Sequence, residues 1–206
     1  MEAGRALRED GRVHHDIVLE GHGVRLRALH PDDAAALAAI VDRELWSYMP
    51  PPFPEDVAGW AANVEAALAA PERLPFAVAD AATGRVLGST SFYELSEGQR
   101  RVEVGYTFYD RAQWGGPVNP ACKRLLLTHA FETWGLARVA LRCDADNTRS
   151  AAAIQKLGAK PEGRLRNHRR RPDGTQGDTL YFSIIDAEWP DARAALDARL
   201  SGTTSA

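Results

Sequence analysis

"VALRCDADNTRSAAAIQKLGA", residues 139–159, decides how the chain is read. Its first part alternates apolar residues with polar or small ones and reads as a strand. Asn147 then stands where a helix N-cap belongs, with a side chain suited to the free backbone N–H groups of a first turn. Ser150 lies inside that turn. Gly158 is placed as the stop, because glycine takes the left-handed conformation that ends helices. A strand feeding directly into a short helix is a unit of a mixed sheet. Two readings of Asn147 and Ser150 stay open at this point: they serve only the helix start, or they also face a ligand.

The segment before it has the same character. "VEVGYTFYDRAQWGGPVNPACKRLLLTHAFE", residues 102–132, reads as a strand, a Gly-Gly-Pro turn and a helix from about 119 to 135. Cys122, Leu126, Leu127, Ala130, Phe131 and Trp134 recur at steps of three and four and form its apolar face. A glycine turn at a helix start is a ready phosphate site, since free N–H groups point outward there. Pro117 follows at once and has no N–H to offer. A plain strand-to-helix turn is therefore the competing reading. Further out, 16–29 reads as a strand pair around Gly-His-Gly, 30–45 as a helix, and 54–70 as another. The prolines of "WSYMPPPFP", residues 46–54, separate the two helices. Residues 74–95 read as two strands around a Thr-Gly turn, and 177–186 as the last clear strand. Residues 1–15 read as a flexible arm, 16–190 as one domain, and 191–206 as a tail, helical and then disordered. The order of segments predicts an α/β fold with a mixed sheet.

Composition bounds the function. A chain of 206 residues suits one domain and buries roughly 70% of its unfolded surface. A net charge of −3 argues against a general nucleic-acid binder. No apolar run is long enough to span a bilayer, and the opening residues lack the apolar core of a secretory signal. Cys122 and Cys143 have no CxxC spacing and read as buried thiols of a reducing compartment, so a cytoplasmic protein is expected. The scattered histidines supply too few ligands for a metal site, and none is expected.

Taken in this order, the segments resemble the GNAT acetyltransferases, and most closely their RimJ/RimL-type branch. The resemblance covers roughly residues 16–190, and its most specific part is Asn147, Ser150, Leu157 and Gly158 after a strand. It implies the GNAT fold, a mixed and mostly antiparallel central sheet flanked by helices. It also implies transfer of an acetyl group from acetyl-CoA, a co-substrate, to an amine on a protein N-terminus or a small molecule, by direct attack. By position, the backbone of Tyr106, Thr107 and Phe108 would run beside the pantetheine arm, with one N–H stabilising the thioester oxygen. The pyrophosphate loop would be drawn from Trp114, Gly115, Gly116, Val118 and Asn119. Here the chain departs from the family pattern. Trp114 stands for a basic or amide residue, Pro117 for a glycine and Asn119 for a small residue. A register one step earlier puts Gln113 first, Gly116 fourth and Val118 last.

The resemblance further implies that Asn147 bonds the pantetheine arm and that Ser150 lies near the sulfur, where a hydroxyl can protonate the leaving thiolate. A base is also needed, because an ammonium must lose a proton before it attacks. Glu103 is the candidate, and strict alternation puts it on one face with Gly105 and Thr107, opposite Val102 and Val104. The alternatives are a solvated carboxylate or an arginine partner, and Glu94 with a water chain competes. Trp46, Tyr48 and Phe53 would line the acceptor pocket, or else simply pack the proline-stiffened loop. Arg164, Arg166, Arg169, Arg170 and Arg171 read as a solvated hairpin or as a rim for an acidic substrate or RNA phosphates, with His168 a surface residue. The rival function is a non-catalytic acyl-CoA-binding or protein-interaction module, which Trp114 and Pro117 favour. The acceptor and the oligomeric state, a homodimer included, are left open.

Overall fold

A computed structural model describes residues 5–7 and 13–202. Strands β1 (Arg5–Leu7) and β2 (Val13–His15) form an antiparallel ribbon. Then come β3 (Leu19–Gly21), β4 (Val24–Ala28), α1 (Ala34–Ile40), α2 (Arg43–Trp46) and α3 (Val57–Ala69). The middle holds β5 (Arg73–Asp80), β6 (Val86–Ser96), β7 (Arg101–Tyr109) and α4 (Val118–Thr128), which widens into a π turn over His129–Thr133. The last part is β8 (Arg138–Asp144), α5 (Thr148–Gln155), β9 (Lys160–Arg170), β10 (Gln176–Ile185) and α6 (Trp189–Ser201).

Eight strands form one sheet in the order β3-β4-β5-β6-β7-β8-β10-β9. Each neighbouring pair is antiparallel except β7 with β8, which is parallel. Local chemistry accounts for the hairpin turns. Gly21 pairs with Val24, so His22 and Gly23 form a two-residue turn with φ of +51° and +80°. Such a turn needs the left-handed conformation at both positions.

The helix expected over 30–45 is divided. Val41 is extended and buried, and Asp42 starts a new helix by accepting a hydrogen bond from Leu45 N at 2.8 Å. Burying Val41 and gaining a strong cap outweigh the intrahelical bonds lost there. Two expectations at the chain ends also change. Arg5–Leu7 and Val13–His15 are a ribbon, not a loose arm, and buried His15 bonds through Nε2 to Pro75 O at 2.9 Å. Residues 1–4 and 8–12 lie outside the described residues. The tail expected from 191 is helical to Ser201, with Ala192, Leu196 and Leu200 in the main core, and 203–206 lie outside the described residues.

Each face of the sheet has its own core. On one, Phe92, Val102 and Val104 pack with Cys122, Leu126 and Leu127 of α4 and with Trp189 and Leu196 of α6. On the other, Ala77, Val86 and Phe108 meet Leu37, Trp46, Trp60 and Val64 of the first helices. Trp46 is the centre of this second core and is almost fully buried. Its ring lies 4.9 Å from Trp60 and 5.2 Å from Phe108, and its indole N–H donates to Pro51 O at 2.8 Å. The proline loop is thus fastened from inside. Phe53 is half-buried against the same core, beside the Arg43 guanidinium at 5.3 Å.

Trp46→Ala should therefore act on stability. Its expected cost is about 3–5 kcal/mol, the usual range for deleting a buried aromatic. Urea denaturation checks this, and a loss under about 1 kcal/mol would mean that the second core does not depend on this ring.

Candidate active site

The parallel ladder between β7 and β8 joins Arg101–Val104 to Arg138–Leu141 and then stops. Beyond it, β7 continues to Tyr109 and β8 to Asp144 without pairing to each other. A cleft of about 540 Å³ occupies the opening. Gly105–Tyr109 form one wall and Leu141–Asp144 the other, with Asn119 and Lys123 of α4 and Asn147, Ser150, Ile154 and Leu157 around α5 between them.

A bulge shapes the first wall. Gly105 pairs with Ser91 and Phe108 with Ser89, so Thr90 alone faces both Tyr106 and Thr107. Tyr106 takes a φ of +49°. Its ring is held 5.2 Å from that of Tyr93 and 4.0 Å under the Arg73 guanidinium. The extra residue reverses the alternation after Gly105. Thr107 therefore points to the α4 side, where it bonds Thr90 Oγ1 at 2.8 Å and accepts from Lys123 Nζ at 2.9 Å. The face expected to carry Glu103, Gly105 and Thr107 together carries only the first two.

Glu103 is not on the cleft wall. It is 4% exposed and accepts a hydrogen bond from Tyr93 Oη at 2.7 Å, with Arg142 Nε 3.4 Å away. Tyr93 and Arg142 are the groups that face the cleft. Only glycine at 105 permits this, since a β-carbon there would come within 2.8 Å of the Tyr93 ring. Burial pushes the Glu103 carboxyl upward, partly countered by Tyr93 and Arg142. Burial, then the nearby Glu103 charge, lifts the Tyr93 phenol well above its ordinary value. Glu94 is a half-exposed neighbour, 3.4 Å from Arg142 Nη2.

The turn before α4 binds its own backbone first. Trp114 N donates to Arg111 O and Gly116 N to Gln113 O, while Gly115 supplies the positive φ of +76°. Pro117 caps the helix, and Pro120 is a second first-turn residue without an N–H. Val118 and Asn119 remain as the first-turn donors, since Ala121 N already reaches Pro117 O. Trp114, Gly115 and Asn119 line the cleft, whereas Gly116 does not and the Val118 side chain is buried in the main core. Trp114 carries Arg149 at 3.5 Å from its ring centre and Arg111 at 4.8 Å. Arg111 is bonded to Asp42 and Glu44, and Arg149 has no carboxylate partner among the described ion pairs.

Asn147 Oδ1 accepts from Ser150 N at 3.0 Å, which engages the oxygen in the cap and leaves the amide NH₂ as the donor on offer. Burial raises the Cys143 thiol, and the neighbouring Ser150 hydroxyl acts against that. Tyr48 does line the cleft, donating to Asp146 O at 3.3 Å. Trp46 and Phe53 do not. Much of the arginine run is engaged internally: Arg164 with Asp178 at 2.6 Å, and Arg171 with Asp144 at 2.8 Å. His168 is exposed at the cleft edge, 3.2 Å from Thr179 Oγ1. Sequence reasoning missed Lys123, Tyr93, Arg142 and Arg149. For Lys123 a signal existed, since it lies four residues after Asn119 and so on the same stripe of the helix.

A match to the acetyltransferase (GNAT) domain family spans residues 24–160, from β4 to the start of β9. The chain belongs to the GNAT acetyltransferase family. YdaF of Bacillus subtilis (strain 168), which bears the name of a ribosomal N-acetyltransferase, is 31% identical over 106 residues, 52% of this chain and 57% of that protein. The chain thus spans little more than half the length of the curated relatives it matches. A solved structure from T. thermophilus, assigned to the acetyltransferases, superimposes with a TM-score of 0.84 at 34% identity, over 89% of this chain and 96% of that one. RimJ from Mycobacterium smegmatis, solved in complex with CoA-disulfide, shares the fold at a TM-score of 0.74 and 24% identity, over 90% of this chain and 93% of that one. A protein of the RimJ/RimL-type branch named by the sequence resemblance is thus among those that share its fold. The eight-stranded sheet with one parallel pair is the GNAT fold.

In this GNAT protein the buried carboxyl has a consequence that titration reads. A raised Glu103 value means the folded state keeps a proton that the unfolded chain releases near pH ~4. Stability then falls with rising pH from that point up to the folded-state value, above which the loss is complete. Glu103→Gln removes this contribution. Urea midpoints of the two proteins should move apart in favour of the variant as pH rises from about 4, and parallel curves would mean that burial does not perturb this carboxyl.

Proposed function

We propose that this GNAT protein transfers the acetyl group of acetyl-CoA to an acceptor amine by direct attack. The observation that carries the reading is the edge of β7 that parts from β8 from Gly105 onward, opening onto a cleft that ends at the first turn of α4. An extended arm with amide groups finds backbone partners along such an edge, and an anion finds free N–H groups and a favourable dipole at the helix start. On this reading Tyr106, Thr107 and Phe108 border the pantetheine, and Gly115, Val118 and Asn119 serve the pyrophosphate. The amide NH₂ of Asn147 serves the arm. The RimJ structure, solved with CoA-disulfide, supports the donor class.

Proton traffic follows from Tyr93. An ammonium acceptor gives a proton to Tyr93 Oη as the phenol passes its own proton to Glu103 Oε2, 2.7 Å away. The free amine attacks the thioester carbon, a backbone N–H at the bulge stabilises the oxyanion, and the C–S bond breaks. The departing thiolate takes a proton from the Ser150 hydroxyl, and the proton that the attacking nitrogen loses as the amide forms returns to Ser150, so no charge is left on the serine. Glu103 thus acts through Tyr93 and not at the cleft itself. A non-catalytic acyl-CoA-binding module is the second reading, because Pro117 and Pro120 remove donors from the loop. Release of free thiol from acetyl-CoA with a panel of amines, including peptide N-termini, separates the two, since a binding module releases none.

Two sets of variants test the assignment. Asn147→Asp keeps an oxygen for the α5 cap and replaces the NH₂ donor, so it should hold the melting temperature while weakening acetyl-CoA about tenfold or more in calorimetric titration. Unchanged affinity would remove Asn147 from the binding site. Tyr93→Phe and Glu103→Gln should each lower kcat by about 10²–10⁴-fold. The double variant should lose little more than either alone, because one path is broken once. Multiplied losses would show two independent groups.

A further inference from the structure

Lys123 is 5% exposed, yet it borders the cleft. Its Nζ donates to Thr107 Oγ1 at 2.9 Å and lies 3.4 Å from Thr90 Oγ1. Among the described ion pairs no carboxylate accompanies it. A buried ammonium with only hydroxyl partners is poorly compensated. Burial accordingly brings it down to about 8, with only the neighbouring Cys122 acting against that. The charge stands one helical turn below Asn119, and helix side chains lean toward the N-terminus. It therefore lies on the side of the cleft where α4 begins. That helix start is short of donors: Pro117 and Pro120 have no N–H, Gly116 N is bonded to Gln113 O, and Trp114 stands where the family resemblance, in one register, has a basic or amide residue.

We infer that Lys123 is the buried cation that receives the phosphate nearest the pantetheine arm, supplying from beneath the loop the charge that the loop itself lacks. This rests on the acetyl-CoA reading above. In the absence of donor the ammonium leans on Thr107 and Thr90. When the donor's phosphate enters, the ammonium gains a counter-ion in a site that excludes water, where a charge-assisted hydrogen bond is worth most. The two threonines hold it in place, which makes Thr107 a positioning residue through its side chain as well as a wall residue through its backbone.

The test compares three probes by calorimetric titration: CoA, 4′-phosphopantetheine and pantetheine. Lys123→Met removes the charge and fills similar space. Lys123→Gln removes the charge and keeps a donor for Thr107. Both should bind CoA and 4′-phosphopantetheine about 10- to 100-fold more weakly, the range for a hydrogen bond to a charged group, and pantetheine nearly as well as wild type. Melting temperatures without ligand should hold or rise in the Met variant, since an uncompensated buried charge has gone. Equal losses for all three probes would show that Lys123 supports the cleft or the amide arm, and would overturn the inference. So would unchanged CoA binding by either folded variant. A wild-type chain that binds none of the three would overturn the acetyl-CoA reading itself, and this inference with it.

Discussion

The bulge at Tyr106 is the constraint on which the rest of the cleft depends. One extra residue opposite Thr90 ends strict alternation, turns Thr107 to the α4 side and leaves Tyr106 with Tyr93 and Arg73. The same strand parts from β8 just before it, at Val104 and Leu141. A tyrosine at positive φ costs on the order of 1–3 kcal/mol and persists only where its surroundings fix it. Here they do. Arg73 stacks on the Tyr106 ring and donates to Ser91 Oγ at 2.9 Å, while burial lowers its own value to about 10. Removing the strain would require unstacking a desolvated guanidinium, which is why the bulge is a stable feature of the wall.

Because the bulge assigns Thr107 and Glu103 to opposite faces, it also separates two buried charges. Lys123 lies on the α4 side, and Glu103 lies on the side of Tyr93 and Arg142. They do not neutralise each other, and each retains the electrostatic character that its neighbours impose. The arginines of 164–171 follow another logic. Asp144, fully buried on β8, has burial working to raise its carboxyl, but the bonds from Arg171 and Asp146 N outweigh this and hold it low. Arg171 therefore clasps the β9–β10 hairpin to the end of β8, and Arg164 with Asp178 clasps the hairpin to itself. Among the five arginines, Arg169 and Arg170 line the cleft, Arg170 as an exposed cation.

Periodicity and punctuation make most of the fold legible. Asn147 and Gly158 bracket the helix where a cap and a left-handed stop belong, with Gly158 at φ +88°. The Gly-His-Gly and Thr-Gly turns fall between the strands they are expected to join. What stays hidden is what local pattern cannot encode. Nothing in "VEVGYTFY" announces the bulge, which arises from cross-strand register with β6, so strict alternation puts Thr107 on the wrong face. Glu103 reads as a cleft residue because no sequence shows that Tyr93 and Arg142 stand in front of it. Trp46 and Phe53 sit among prolines, where exposure is the natural expectation, and only the meeting of Trp46 with Trp60 and Phe108 reveals a core. Lys123 escapes notice because a charge on an otherwise apolar helix reads as solvated.

Trp114 illustrates how a departure from a pattern is absorbed by structure. At that position the family pattern, in one register, calls for a basic or amide side chain, and a neutral indole removes a positive charge from the loop. Yet the indole face holds the Arg149 guanidinium at 3.5 Å, and Arg149 belongs to α5, across the cleft mouth. A cation stacked on tryptophan keeps its in-plane N–H groups free, because the contact uses only its face. Arg111 stands near the same ring but is turned to Asp42 and Glu44, and burial together with the Arg111 charge depresses Arg149. Glu44 acts against this shift without a direct ion pair to Arg149 among the described residues. Arg149 and Trp114 thus tie α5 to the turn before α4 through one aromatic ring.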